Sequence, residues 1–231
     1  MRSDLTIETK IISKQRNNNG KGNFLKNTTI MAFTDYKDLT ILKAKHPQII
    51  VNLENFIPNL PEINIKTSFQ EDINLNIETY RSNETLACET LVSPILRYVW
   101  LNMYLRDMNM WSHQGIKYDD DLCGVPDFMF TQLDQKQYEI ISYPIITTVE
   151  AKSDNFVEGW AQCIAQMLAC QKLNTNPNVV ILGIVTTGKL WEFAKLEGDI
   201  VTKNTSAYGV TELAKLITIL DYLLGEAKKQ L

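Results

Sequence analysis

Histidine is nearly absent from this chain: His46 and His113, far apart in the sequence, are the only two. A zinc hydrolase, or a nuclease built on histidine bases, is hard to assemble from that supply. Cysteine is sparse as well. Cys88, Cys123, Cys163 and Cys170 show neither the pairing of a secreted disulfide scaffold nor the close spacing of a zinc site, which predicts reduced thiols and a cytoplasmic protein. No apolar run approaches the ~20 residues that span a bilayer, and no signal peptide is read at the start, so no membrane partner is expected. Basic charge is also short, with 23 Lys and Arg against 27 Asp and Glu and a net charge of −4. That balance argues against tight nonspecific binding to nucleic acid. A local basic rim is still compatible with it, because site carboxylates enter the same sum.

Against these absences stand two short phrases, Pro126-Asp127 and Glu150-Ala151-Lys152, each at the end of an apolar run that reads as a strand. Gly124 to Phe130 is apolar apart from one acid, and Ile145 to Val149 is rich in β-branched residues. Paired as a hairpin, these strands bring Asp127 beside Glu150. Side chains alternate along a strand, so Glu150 and Lys152 share one face and the small Ala151 takes the other. Two carboxylates at one point repel each other, and a shared cation such as Mg²⁺, which prefers oxygen ligands, explains the pair best. Lys152 binds no metal. Its expected work is to hold and help deprotonate an attacking water and to offset charge building on a phosphate.

The run of proline-aspartate, a gap, then acid, any residue and lysine resembles the PD-(D/E)XK nuclease superfamily. The match is carried by Pro126, Asp127, Glu150 and Lys152. Asn83-Glu84-Thr85 followed by Leu91 to Leu96 looks like the start of the nuclease domain in type I restriction subunits. The resemblance implies an α/β fold: a restriction-endonuclease-like core with a central mixed β-sheet flanked by helices, plus an N-terminal elaboration. It implies Mg²⁺, with Mn²⁺ as a substitute, and metal-binding positions Asp127, Glu150 and Ala151. An acid on the preceding helix should support them, and Glu84 fits better than Glu89 because it lies on the same helical stripe as Leu91. A glutamine on the following helix, Gln162 or Gln166, should assist. The implied activity is phosphodiester hydrolysis by a restriction or DNA-processing endonuclease, with DNA as partner and a homodimer compatible with it. The alternative on the same fold is a catalytically inactive nucleic-acid-binding or regulatory module. A wholly structural reading makes Glu150 and Lys152 a plain ion pair at a strand end.

The rest of the chain supplies the frame. A helix is expected over 83–106, with Ala87, Cys88, Leu91, Ile95, Tyr98 and Leu105 inward and Pro94 able to kink it. A second runs from Phe156 to Lys172, uncharged between Gly159 and Gln171 and therefore covered on most sides. Asn178 to Gly188 reads as a buried strand, 189–196 as its hairpin partner, and Val210 to Leu231 as a packing helix. Thr186, Thr187 and Lys189 are candidate phosphate contacts, and Arg81, Arg97, Lys117, Lys172 and Lys189 candidate rim cations. Residues 81–231 form the expected core and 1–80 the elaboration. Within the latter, Lys14 to Asn23 reads as a basic arm, 35–44 as a short helix, and 52–76 as one or two added strands or a loop.

Overall fold

The structure, a computed structural model, describes residues 32–80, 83–136 and 139–231. The basic arm at Lys14 to Asn23, and Arg81, lie outside the described residues. The described residues open with a 3-10 turn at Phe33–Asp35 and then α1 (Leu39–Lys45), where Asp38 caps the first turn by accepting from the Thr40 and Ile41 N–H groups. The chain then forms β1 (Ile50–Glu54) and α2 (Thr67–Thr79). The α2 helix corrects the expectation of added strands. Ile73, Leu75 and Ile77 alternate as a strand would, yet Phe69, Ile73 and Ile77 also recur at helical spacing, and the helix wins by burying Ile73 while Leu75 stays exposed.

The long helix comes in four pieces: α3 (Glu84–Ala87), a π turn at Cys88–Val92, α4 (Ser93–Val99) and a second π turn at Trp100–Tyr104. Pro94 has no N–H to offer the Thr90 carbonyl, and the Asn76 side-chain amide donates to that carbonyl instead, at 2.8 Å. Ala87, Cys88, Leu91 and Ile95 face the core as expected. Leu105 does not. The second π turn, with its longer repeat, moves the stripe out of phase and leaves Leu105 exposed.

Among the described residues nine further strands follow: β2 (Met108–Ser112), β3 (Ile116–Lys117), β4 (Cys123–Gly124), β5 (Phe128–Gln132), β6 (Ile145–Ala151), β7 (Ile181–Thr186), β8 (Leu190–Glu197), β9 (Ile200–Asn204) and β10 (Tyr208–Gly209). Helix α5 (Phe156–Leu173) lies between β6 and β7, and α6 (Leu213–Lys228) closes the described chain. The main sheet runs β1-β9-β8-β7-β6-β5-β2, with β10 added on β8. β1 with β9 and β6 with β7 are parallel, and the other pairs are antiparallel. The architecture is thus α/β, a large mixed sheet flanked by helices.

Helix α5 is the crossover joining parallel β6 and β7, and every residue from Gly159 to Cys170 is buried, as its lack of charge predicts. It packs close because Gly183 of β7 has no side chain; a Cβ there would meet Met167 Sδ at 2.5 Å. Leu182 faces the other side, against Leu223 and Ala227 of α6. Phe33, Tyr36, Leu42, Ile49 and Ile57 join the same hydrophobic core as the sheet, and β1 pairs with β9, so residues 32–80 complete the core rather than standing beside it. Among the described residues, no helix is long and apolar enough to cross a membrane.

Candidate active site

The antiparallel register of β5 and β6 sets Phe128 opposite Val149, so the next pair outward is Asp127 and Glu150. Pro126 is buried and delivers Asp127 at the strand's mouth. There the Ala151 N–H donates to Asp127 Oδ2 at 2.7 Å, tying the first motif to the second. On the other flank, the His113 N–H donates to the Asp127 carbonyl at 2.9 Å. Lys152 continues β6 and donates its N–H to the Thr186 carbonyl of β7 at 2.9 Å. Its ammonium returns to Glu150 Oε1 at 2.7 Å, with both side chains largely buried. Glu150 and Lys152 therefore share a face, as alternation requires.

Gln166 of α5 completes the carboxylate's shell. Its amide donates to Glu150 Oε2, while its carbonyl accepts from the Thr148 hydroxyl, both at 2.5 Å. Thr148, Gln166, Glu150 and Lys152 form one buried hydrogen-bonded chain. Gln162 does not reach it. Its amide donates to Glu158 Oε1 at 2.9 Å and to the Thr34 carbonyl at 3.5 Å, and Glu158 in turn pairs with Lys37 at 2.8 Å. Of the two glutamines, Gln166 is at the carboxylates and Gln162 fastens α5 to the segment before α1.

The electrostatics are those of a crowded acidic pocket. Burial pushes Glu150 up to about 7, the Asp127 charge adds to this, and Lys152 and Gln166 oppose it. Burial likewise raises Asp127, against the Ala151 N–H, His113 and Lys152. Burial works against the Lys152 ammonium, but the Glu150 carboxylate overcomes it and holds the lysine charged, above its ordinary range. Glu84, exposed at the start of α3, lies near enough for its charge to act on both Lys152 and Cys88. The Cys88 thiol, pushed up to about 12 by burial and then by Asp127, Glu84 and Glu150, is an inert part of the wall.

Two residues of this pocket escaped the sequence reading in their roles. Gly159 lets the lysine stem pass: a Cβ on it would lie 2.7 Å from Val185 Cγ1 and 3.1 Å from Lys152 Cγ. His113 places Nε2 3.5 Å from Asp127 Oδ1. No local signal marks it, because β2 brings it there by pairing Ser112 with Phe128. Among the expected phosphate contacts, Thr186 and Thr187 spend their hydroxyls closing the β7–β8 turn. Lys189 lies in that turn, 4.0 Å above the Tyr80 ring. Arg97 stands over Trp100 and Lys172 over Tyr118, while Lys117 pairs with Asp120.

Among the described residues no cluster of three or more His, Cys, Asp or Glu is placed to hold a metal. The donor set here is smaller and harder: two carboxylates, both raised toward neutrality by burial. Mg²⁺ can be held through one or two carboxylates and keeps several waters, so Asp127 and Glu150 are the residues that would hold it. No protein-family model matches the chain, and no curated protein matches it in sequence.

Proposed function

We propose that this chain is a metal-dependent nuclease that hydrolyses phosphodiester bonds, DNA first among its substrates, on a restriction-endonuclease-like core of the PD-(D/E)XK kind. The observation that carries this reading is the convergence of Asp127, Glu150 and Lys152 at adjacent strand ends, two acids held close to one ammonium. A structural ion pair needs only one acid. The second acid, with Gln166 devoted to fixing the first, is explained by a cation.

Asp127 and Glu150 would hold Mg²⁺ or Mn²⁺, with Ala151 adjoining as the residue whose N–H orients Asp127. Bound there, the cation supplies Lewis acidity toward a phosphate oxygen and lowers the pKa of water. Lys152 stays charged beside Glu150 and is positioned to orient the attacking water and to meet charge developing on the phosphate. Gln166 locks the Glu150 carboxylate against rotation, and Glu84 adds negative charge at the rim. Lys189 is the rim cation whose turn adjoins the Lys152 backbone.

The net charge of −4 favours a second reading, a binding or regulatory module on this fold. One experiment separates them: cleavage of supercoiled plasmid, linear duplex and single-stranded RNA with Mg²⁺, Mn²⁺ or EDTA, for the native chain, Lys152→Ala and Asp127→Ala. Metal-dependent cutting that both variants lose is the expected result. Nucleic-acid binding without cutting would establish the module instead.

A further inference from the structure

His113 is the only non-glycine with positive φ among the described residues, at 51°. L side chains avoid this region, and glycine or asparagine enters it at lower cost. Its side chain is 59% exposed, so the core has no need of the ring. Strained backbone at an exposed residue clusters at functional sites, and this one borders Asp127. The ring is nonetheless held in place. Nδ1 bonds the Ser112 hydroxyl at 2.9 Å, and the ring edge stands against Phe128, centroids 6.0 Å apart.

The partners decide where the imidazole proton sits. Nε2 faces Asp127 Oδ1, which when ionised only accepts, so with Asp127 charged the N–H belongs on Nε2 and Nδ1 accepts from the Ser112 hydroxyl. At 3.5 Å from Asp127 Oδ1, that N–H is too far for a strong hydrogen bond. It is a donor at the mouth of the site, aimed and barely used.

We propose that His113 is a substrate contact, its Nε2–H donating to a phosphate oxygen of the nucleic-acid strand that lies across Asp127. This rests on the nuclease reading above. A phosphodiester oxygen accepts such a bond strongly because it carries charge. The ring stands beside Asp127, and a strand bound at the Asp127–Glu150 pair would pass within its reach. The positive φ falls at the residue after β2, whose N–H donates to the Asp127 carbonyl, so the backbone that carries the ring is fixed beside Asp127.

The test uses the full chain, plasmid cleavage in Mg²⁺, and thermal melting of the native protein, His113→Asn and His113→Gln. Asparagine eases the backbone but its short amide does not reach the Nε2 position. We expect it to raise the melting midpoint while lowering kcat/KM at least about tenfold. Glutamine reaches that position with its amide nitrogen and should restore part of the rate. An asparagine variant that cuts like the native chain would overturn the proposal and leave the nuclease intact. Loss of rate together with a fall in midpoint in both variants would make His113 structural and also overturn it. If the native chain shows no cutting that depends on Lys152, the nuclease reading fails and this contact fails with it.

Discussion

Replacing Glu150 by Gln should make the protein more stable in the absence of metal, and should do so only at neutral and alkaline pH. Glu150 ordinarily titrates near 4.5, and in the fold burial and Asp127 push it up to about 7. The folded state thus keeps its proton to higher pH than the unfolded chain does. Stability falls as pH rises from 4.5 through 7, and above that the charged carboxylate costs the fold about 3 kcal/mol. Glutamine stands for the protonated acid at every pH. Urea unfolding in EDTA should therefore show Glu150→Gln gaining little over the native chain at pH 5, under ~1 kcal/mol, and about 3 kcal/mol at pH 8. Any fixed cost of re-pairing the amide with Gln166 and Lys152 cancels in the difference between the two pH values. Mg²⁺ at pH 8 should then close the gap by stabilising the native chain alone. A gap of equal size at both pH values would refute the desolvation argument, and Mg²⁺ acting equally on both proteins would refute the metal site.

Two further substitutions probe the support of the site. Gly159→Ala places a methyl between Val185 and the stem of Lys152, and overpacking should cost about 1–3 kcal/mol in urea unfolding. Its effect on kcat should be larger than that loss suggests, because the displaced group is the ammonium's own chain. Gln166→Ala strips hydrogen bonds from the buried Thr148 and Glu150 and should destabilise by about 1–3 kcal/mol, and Gln162→Ala, whose partners Glu158 and Thr34 reach solvent, should cost less. Only Gln166→Ala should also lower kcat, measured in the plasmid assay, since only Gln166 fixes Glu150.

Legibility in the sequence followed the range over which the physics acts. The β5–β6 hairpin, α5, β7, β8 and α6 were all readable because each carries its own periodicity and is buried in a simple way. The uncharged stretch of α5 announced its burial, which the structure bears out from Gly159 to Cys170. Residues 67–79 failed because Phe69, Ile73, Leu75 and Ile77 satisfy two periods at once, and only packing chooses between them. Strand β9 and the pairing of β1 with it were invisible for another reason. Short edge strands with polar residues, such as Val51-Asn52-Leu53-Glu54, take their conformation from the partner they pair with.

The candidate site divides along the same line. Asp127, Glu150 and Lys152 were legible because a single antiparallel register and the alternation of one strand place them together. Choosing Gln166 over Gln162 required the rotation of α5 against β6, which the methionine contact at Gly183 sets and no local pattern encodes. His113 required β2, whose Met108-Asn109-Met110-Trp111 offers no alternation to read. What the structure adds is energetic. Ordinary cores exclude crowded charge, yet here a buried acid and a half-buried one stand against one ammonium, Gly159 leaves room for the stem of that lysine, and His113 sits at positive φ. These departures from good packing gather around the ends of β5 and β6, where the proposed function puts the chemistry.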